Sequence, residues 1–149
     1  MIPKTVVWFV SGAFSQRAPT GFVVSSFVAS STAPTAFTLP APWQDADVGA
    51  AGLAGGANYS DGAFAVNSAG TNIWGRAEGF DFVYQTLEGD GEIIARVAAL
   101  EHTLPQAKAG VMLRDGLDPT AKHVFLGALP EDGLVFQSRV RSEGLTFQV

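Results

Sequence analysis

Short apolar runs separated by turn residues dominate the chain from about residue 60 onward. Apolar and polar positions alternate within several of these runs, which are rich in β-branched and aromatic residues. Alternation with a period of two is typical of half-buried β-strands, whereas the apolar positions of an amphipathic helix recur every three or four residues. The pattern therefore predicts an all-β fold with almost no helix, and it places strands at residues 62–66, 80–84, 92–98, 109–114, 122–127 and 134–140.

Residues 88–91 have the sequence EGDG, which is typical of a turn. They predict a hairpin that joins residues 80–84 to residues 92–98. Because successive side chains of a strand point to opposite faces, the second strand has two distinct faces. One face carries Ile93, Ala95 and Val97, and the other carries Glu92, Ile94 and Arg96. Strands at such regular spacing, with no helical stripes between them, favour a sandwich or barrel over parallel βαβ units.

The first 38 residues differ from the rest of the chain in charge. They hold only Lys4 and Arg17, whereas all fourteen acidic residues lie from Asp45 onward. We therefore predict an N-terminal apolar segment with a linker, residues 1–38, followed by a folded domain, residues 39–149.

Two interpretations of the N-terminal segment stay open. Lys4, the apolar run at residues 5–10 and the small residues that follow fit an export signal. The alternative is a β-hairpin formed with a second apolar run, residues 22–28. The first run is too short to span a bilayer, so no membrane-spanning segment is predicted.

Composition supports one domain and excludes several kinds of partner. A chain of 149 residues suits a single core. The formal net charge is −5 and the lysines and arginines are scattered, so there is no basic stripe for nucleic acid. The chain has no cysteine, which excludes disulfides and thiolate metal sites.

Several ordered motifs between residues 39 and 140 resemble one known family. They are PWQDADVG at 42–49, DGAF at 61–64, NIWG at 72–75, FVYQ at 82–85, GDGE at 89–92, KAGVMLRD at 108–115, KHVFL at 122–126 and GLVFQ at 133–137. The chain is similar in these motifs to a bacterial concanavalin A-like or laminin G-like domain family of unknown function, which includes a yeast protein described as a regulator of enolase.

The resemblance implies an antiparallel jelly-roll sandwich in a secreted, often multidomain protein, and it supplies no catalytic residues. Family members carry further strands after the position of Gln137, whereas this chain ends at Val149, so the sandwich is expected to be incomplete. Missing strands leave apolar positions and a backbone edge in water. We therefore predict that the run at 5–10 or the run at 22–28 pairs into the sheet, from the same chain or from a neighbour.

Carbohydrate is the ligand class that the sequence favours. Sugar sites combine an aromatic ring, which stacks on the apolar sugar face, with planar polar groups. The candidates are Trp43, Tyr59, Trp74 and Tyr84 for the rings, and Arg114 and Gln137 for the polar groups. Trp74 is the strongest candidate for an exposed ring because it lies between Asn72 and Gly75 in a turn-like setting.

Other chemistry has less support. A structural calcium bound by Asp45 and Asp47 is one interpretation of that segment, and a polar turn is the other. The acids Glu88, Asp90 and Glu92 have the composition of a solvated hairpin tip, not of a catalytic pair. His102 and His123 lack neighbouring acids at metal-ligand spacing, and no nucleophile or nucleotide motif is present.

We expect a non-catalytic extracellular binding module that is either carbohydrate-binding, with a polysaccharide or another glycan as its ligand, or adhesive. The first alternative is a structural subunit that forms homo-oligomers by strand exchange at exposed sheet edges. A glycoside hydrolase is the third hypothesis, because some hydrolases use this kind of sandwich.

Overall fold

The structure is a computed structural model, which describes the strands Thr5–Trp8, Ala13–Gln16 and Gly21–Ala29 together with residues 39–51, 54–101 and 105–149. The described residues form strands and no helix, as the alternating pattern predicts. The strands are β1 (Thr5–Trp8), β2 (Ala13–Gln16), β3 (Gly21–Ala29), β4 (Gln44–Gly49), β5 (Gly56–Ser60), β6 (Ala63–Asn67), β7 (Gly79–Thr86), β8 (Glu92–Ile94), β9 (Ala99–Leu100), β10 (Ala109–Arg114), β11 (His123–Leu129), β12 (Gly133–Arg139) and β13 (Phe147–Gln148).

Within the described residues, the strands form two sheets. The large sheet has seven strands in the order β13-β12-β11-β10-β1-β7-β4, and all its neighbours are antiparallel. The small sheet has the order β5-β6-β2-β3-β8, with β9 also paired to β3. Its hairpins are antiparallel, whereas β3 runs parallel to β6, β8 and β9. This all-β arrangement is consistent with a β-sandwich.

The N-terminal apolar segment contributes strands to both sheets. Strand β1 lies between β7 and β10, where Val7 is paired with Tyr84 on one side and with Met112 on the other. Strand β3 pairs within the small sheet. These pairings confirm the prediction that the run at 5–10 or the run at 22–28 pairs into a sheet, since both runs contain a paired strand and the partners belong to the same chain. They also cross the boundary predicted between residues 38 and 39.

Burial alternates along β11 and β12 and along the second half of β10, at one side of the large sheet. On β10, β11 and β12, one face is buried and includes Met112, Phe125 and Val135. The backbones of β10 and β11 approach closely at Gly110, where a Cβ atom would lie 2.2 Å from the carbonyl oxygen of Leu126. A larger side chain at this position would force the strands apart.

The hairpin predicted between residues 80–84 and 92–98 is wrong. Strand β7 pairs with β1 and β4 in the large sheet, whereas β8 pairs with β3 in the small sheet. Residues 87–91 are therefore a crossover between sheets. The prediction of a turn at residues 88–91 is nevertheless confirmed, because Gly89 has a φ of 82°. However, a turn does not determine whether the next strand continues in the same sheet.

The predicted faces of residues 92–98 are confirmed even though their strand is shorter than predicted. Ile93, Ala95 and Val97 are half-buried, and the alternating residues between them are exposed. Alternation therefore identified the side that faces the core without identifying the partner strand.

Candidate functional site

Trp74 projects its ring into solvent from the segment that precedes β7. Its side chain is 48% exposed, whereas the adjacent Ile73 is 3% exposed and belongs to the core. The Nζ atom of Lys108 lies 5.9 Å from the centre of the Trp74 ring, within the range of a cation–π contact. One side of the ring is thus supported by the protein while much of its surface stays open.

Lys108 connects the Trp74 segment to the large sheet. Its Nζ donates to Oδ1 of Asn72 at 2.8 Å and to the carbonyl oxygen of Ile73 at 3.2 Å. With the Gln137 amide oriented to satisfy both its groups, Gln137 accepts a third hydrogen bond from Nζ at 3.3 Å and donates to the Ile73 carbonyl at 3.2 Å. All three ammonium donors are therefore used, and burial lowers the pKa of Lys108 to about 8.

Amide side chains border this lysine. Nδ2 of Asn72 donates to Oε1 of Gln106 at 3.3 Å. The side-chain amide of Gln148 lies 3.0 Å from that of Gln137. Gln106 and Gln148 are exposed, whereas Gln137 is fully buried. We use the name Trp74 patch for the group formed by Asn72, Trp74, Gln106, Lys108, Gln137 and Gln148.

Hydrogen bonds from Arg139 on β12 hold the backbone beside Trp74. Nη2 of Arg139 donates to the carbonyl oxygen of Gly75 at 3.1 Å and to Oγ1 of Thr146 at 3.0 Å. Its other donors reach three further carbonyls, those of Pro119, Ala121 and Gly144. One buried guanidinium therefore joins three loops, and a network in which every donor has a partner is rigid.

Glu78 supplies the counter-charge for this guanidinium. Its carboxylate contacts Arg139 and lies 3.2 Å from Nη2 of Arg114, and all three side chains are closed to solvent. Burial raises the pKa of Glu78, and the two guanidiniums oppose that shift. His123 lies beside the same carboxylate, but burial and Arg139 lower its pKa to about 4, so the imidazole is neutral at pH 7.

Arg114 lies inside this ion cluster and not at the surface that its predicted role would require. It is 3% exposed. Its Nε donates to the carbonyl oxygen of Gly116 at 2.6 Å, and its guanidinium lies 5.3 Å from the ring centres of both Phe80 and Phe82. These contacts leave no open group for a ligand.

The other aromatic candidates are separate from Trp74. Trp43 is 9% exposed and meets Phe64 edge to face at 5.3 Å. Tyr59 is half-buried against the same Phe64, at 4.7 Å. Tyr84 is half-buried and donates from its hydroxyl to Oε1 of Gln44 at 2.9 Å. Of the predicted ligand-binding residues, Trp43 and Tyr59 therefore meet at Phe64, whereas Trp74 is linked to the buried Gln137 through Lys108.

The predicted calcium ligands Asp45 and Asp47 share a face of the β4–β7 pair with Asp81, which is directly opposite Asp47. The carboxylate of Asp47 accepts hydrogen bonds from the Gly55 N–H at 3.0 and 3.2 Å. Asp81 is 1% exposed, and its carboxyl lies beside the carboxyl of Asp45 and the backbone N–H of Phe82.

Asp47 holds the loop at Gly55 by hydrogen bonds, whereas Asp45 and Asp81 form a pair of carboxyls that share a proton. Burial, and then the negative charge of Asp45, raises the pKa of Asp81 to about 8. Burial also raises the pKa of Asp45, and the two carboxyls hydrogen-bond when one of them holds the proton. In the part of the chain that the structure describes, no group of three or more His, Asp or Glu side chains has the arrangement of metal ligands. The calcium site stays a prediction.

The remaining predicted features have simple positions. Glu88, Asp90 and Glu92 are exposed at the crossover, as expected for solvated acids. His102 lies outside the described residues, and His123 is buried in the ion cluster. Across the described ranges, no helix is long and apolar enough to cross a membrane.

No protein-family model, curated protein or solved structure matches this chain.

Sequence reasoning missed the charged residues that organise the site. Glu78, Asp81 and Lys108 each lie next to or within an apolar run. A charged residue in that position is a signal of burial, and burial of a charge requires a partner. The signal identifies the residues but not the partners, which are distant in sequence.

Proposed function

We propose that this chain is a non-catalytic extracellular module that binds carbohydrate through the Trp74 patch. The proposed scaffold is a jelly-roll sandwich of the concanavalin A or laminin G type, which is the family that the motifs resemble. The observation that carries the proposal is the exposed Trp74 ring, which is bordered by amide side chains and held by a buried network.

The chemistry of the patch matches that of a sugar ring. An indole offers an apolar face on which the C–H face of a pyranose can stack, and amides offer paired donors and acceptors for hydroxyl groups. Asn72 accepts from Lys108 and donates to Gln106, and Gln137 connects Lys108 to Gln148. The amides are therefore connected by hydrogen bonds to the ammonium that lies over the Trp74 ring.

The charges of the patch favour a neutral glycan. The ammonium of Lys108 already donates to three acceptors, so it has no donor left for a sugar carboxylate or sulfate. The chain has a formal net charge of −5, which repels polyanions. Neutral polysaccharides are therefore the ligand class to test first.

Affinity electrophoresis and calorimetry with a panel of neutral and acidic polysaccharides test the proposal. We expect wild-type chain to bind at least one neutral polysaccharide, and Trp74→Ala to weaken that binding at least tenfold, or about 1.4 kcal/mol. Ile94→Ala is the matched control, because Ile94 is 47% exposed but lies on β8 in the small sheet. No binding by wild type, or equal binding by both variants, would show that the proposal is wrong.

The two alternative functions have less support. Assembly by strand exchange needs the N-terminal strands to be available to a neighbour, whereas β1 and β3 are paired within their own chain. Deletion of residues 1–38 would remove β1 from the middle of the large sheet, so sedimentation of the whole chain is the test of this alternative, and a monomer would reject it. A glycosidase has no observation in its favour, and a broad glycosidase screen tests it.

A further inference from the structure

One face of strands β10 to β13 is apolar and open to solvent. It is the face opposite to Met112 and Phe125, and cross-strand pairs place its residues side by side. Its large exposed side chains are Leu113, Val124, Leu126, Leu134, Phe136 and Phe147. We call these six residues the apolar face.

The composition of this face is unusual for a surface in contact with water. A solvated sheet face normally carries polar residues at alternate positions. Here the exposed positions carry leucine, valine and phenylalanine instead, and Leu126 at the centre is 49% exposed. Its cross-strand neighbours on the two sides are Val111 and Phe136, so apolar side chains are continuous across three strands.

The size of the face approaches that of a protein interface. Six such side chains at about half exposure leave on the order of 500 Å² of apolar surface, at the upper end of what a monomer exposes. A stable interface buries roughly 800 Å² from each partner, of which the apolar centre is a part and a polar rim is the rest. The exposed ion pair between Asp115 and Lys122, at 2.6 Å, lies at the ends of β10 and β11 and supplies such a rim.

The absence of charge on this face restricts the occupant. The six side chains offer no group that would attract an acidic or basic partner, and an anionic membrane would be repelled by the net charge of −5. The best match is another uncharged, nearly planar apolar sheet face. The same chain provides one, and a two-fold axis brings identical patches into contact. We propose that two copies of this chain dimerise by packing their apolar faces together, sheet against sheet.

This dimer is distinct from the strand exchange considered above, because it uses a sheet face and leaves the backbone pairing unchanged. It also leaves the Trp74 patch free. The Trp74 patch is built on Lys108 and Gln137, and Gln137 pairs with Phe125 on the buried side of the sheet. Dimerisation and glycan binding are therefore separable by experiment.

Sedimentation velocity and light scattering over a wide concentration range test the proposal. We expect the wild-type chain to form a dimer that Leu126→Lys dissociates, with a dissociation constant at least a hundredfold higher, because a buried ammonium would lack a partner. Ile94→Lys is the control, since it introduces the same charge at an equally exposed position on β8 and should leave the dimer intact.

A second variant keeps the outcome decisive if Leu126→Lys fails to fold. Leu134 is 77% exposed at the start of β12, so Leu134→Lys is expected to fold and to weaken the dimer. Thermal melts establish that each variant is folded before association is measured. A wild-type chain that stays monomeric, or a dimer that survives both substitutions on the apolar face, overturns the proposal.

Discussion

The wild-type chain is expected to become less stable as pH rises toward 8. Replacement of Asp81 by asparagine is expected to prevent this loss of stability. The Asp81 carboxyl is buried beside Asp45, and its pKa is raised from 3.8 to about 8. In the unfolded chain the same carboxyl ionises near its ordinary pKa. The folded chain therefore holds a proton that the unfolded chain releases, over the whole interval between these two values.

The sign of the effect follows from this difference in bound protons. Below about pH 4 both states are protonated, so Asp81 adds no pH dependence. Between pH 4 and 8 the unfolded state gains by ionising and the folded state does not, so the free energy of unfolding falls as pH rises. The maximum slope for one proton is about 1.4 kcal/mol per pH unit.

The titration of His123 restricts the pH range in which the effect of Asp81 can be measured. The pKa of His123 is lowered to about 4 in the folded chain, so below its ordinary value of 6.5 the unfolded state binds the extra proton and stability rises with pH. This trend opposes that of Asp81 between pH 4 and 6.5. Measurements between pH 6.5 and 8 avoid it, and over this range the Asp81 effect amounts to about 1 to 2 kcal/mol because titration of the folded state begins near the upper end.

Urea unfolding of wild type and Asp81→Asn across this window is the assay. Asparagine has nearly the same shape, carries no charge and can donate its amide to Asp45. We expect the stability of the variant relative to wild type to increase by about 1 to 2 kcal/mol between pH 6.5 and 8. Asp132→Asn, in an exposed turn, is the control for removal of one acid. Parallel pH profiles for wild type and Asp81→Asn would refute the reasoning.

Two further predictions concern the ion cluster and the sheet. Glu78→Gln leaves two buried guanidiniums without their counter-charge, so we expect it to cost about 3 to 5 kcal/mol in urea unfolding, whereas Glu88→Gln on the exposed crossover should cost less than about 0.5 kcal/mol. Gly110→Ala places a Cβ 2.3 Å from Cα of Gly127 and should lower the melting temperature more than Gly116→Ala, which meets no atom within 4 Å and strains only a φ of 102°. A smaller loss for the first member of either pair would contradict the packing described.

Sequence patterns predicted the class of fold because each strand carries its own signal. The apolar runs at residues 122–127 and 134–140 identified strands β11 and β12. The turn glycine Gly133, with a φ of 75°, marks the connection between them. These features depend on local geometry, which a single sequence contains.

Local sequence does not determine which strands pair with each other, and for this reason the predicted hairpin between residues 80–84 and 92–98 was wrong. The same turn chemistry preceded a true hairpin at Gly133 and a crossover between sheets at Gly89. Which case applies depends on the strands that flank β7, and one of these is β1, about seventy residues earlier in the chain. Packing of distant segments therefore decides the topology.

The candidate site was predicted only in part for the same reason. Trp74 was identified because glycine and asparagine near an aromatic residue indicate a turn, and turns lie at the surface. Arg114 was assigned to the ligand because a guanidinium is one of the planar polar groups that sugar sites use beside an aromatic ring. Its burial depends on Glu78, 36 positions earlier, and on loop carbonyls that accept from its guanidinium. No local pattern reveals such a contact.

The buried polar network holds the segment that carries the exposed Trp74 ring. The segment around Trp74 has little regular pairing of its own, so its order depends on side-chain anchors. Arg139 and the Thr146 N–H both donate to the carbonyl oxygen of Gly75, and Lys108 donates to that of Ile73. The backbone is thus fixed on both sides of the indole before any ligand arrives. A ligand that stacks on a fixed ring loses less free energy to ordering than one that must immobilise a loop. Buried charges at this end of the sheet therefore replace the strand pairing that the segment lacks, and in the proposed function they keep the Trp74 ring in place for a glycan.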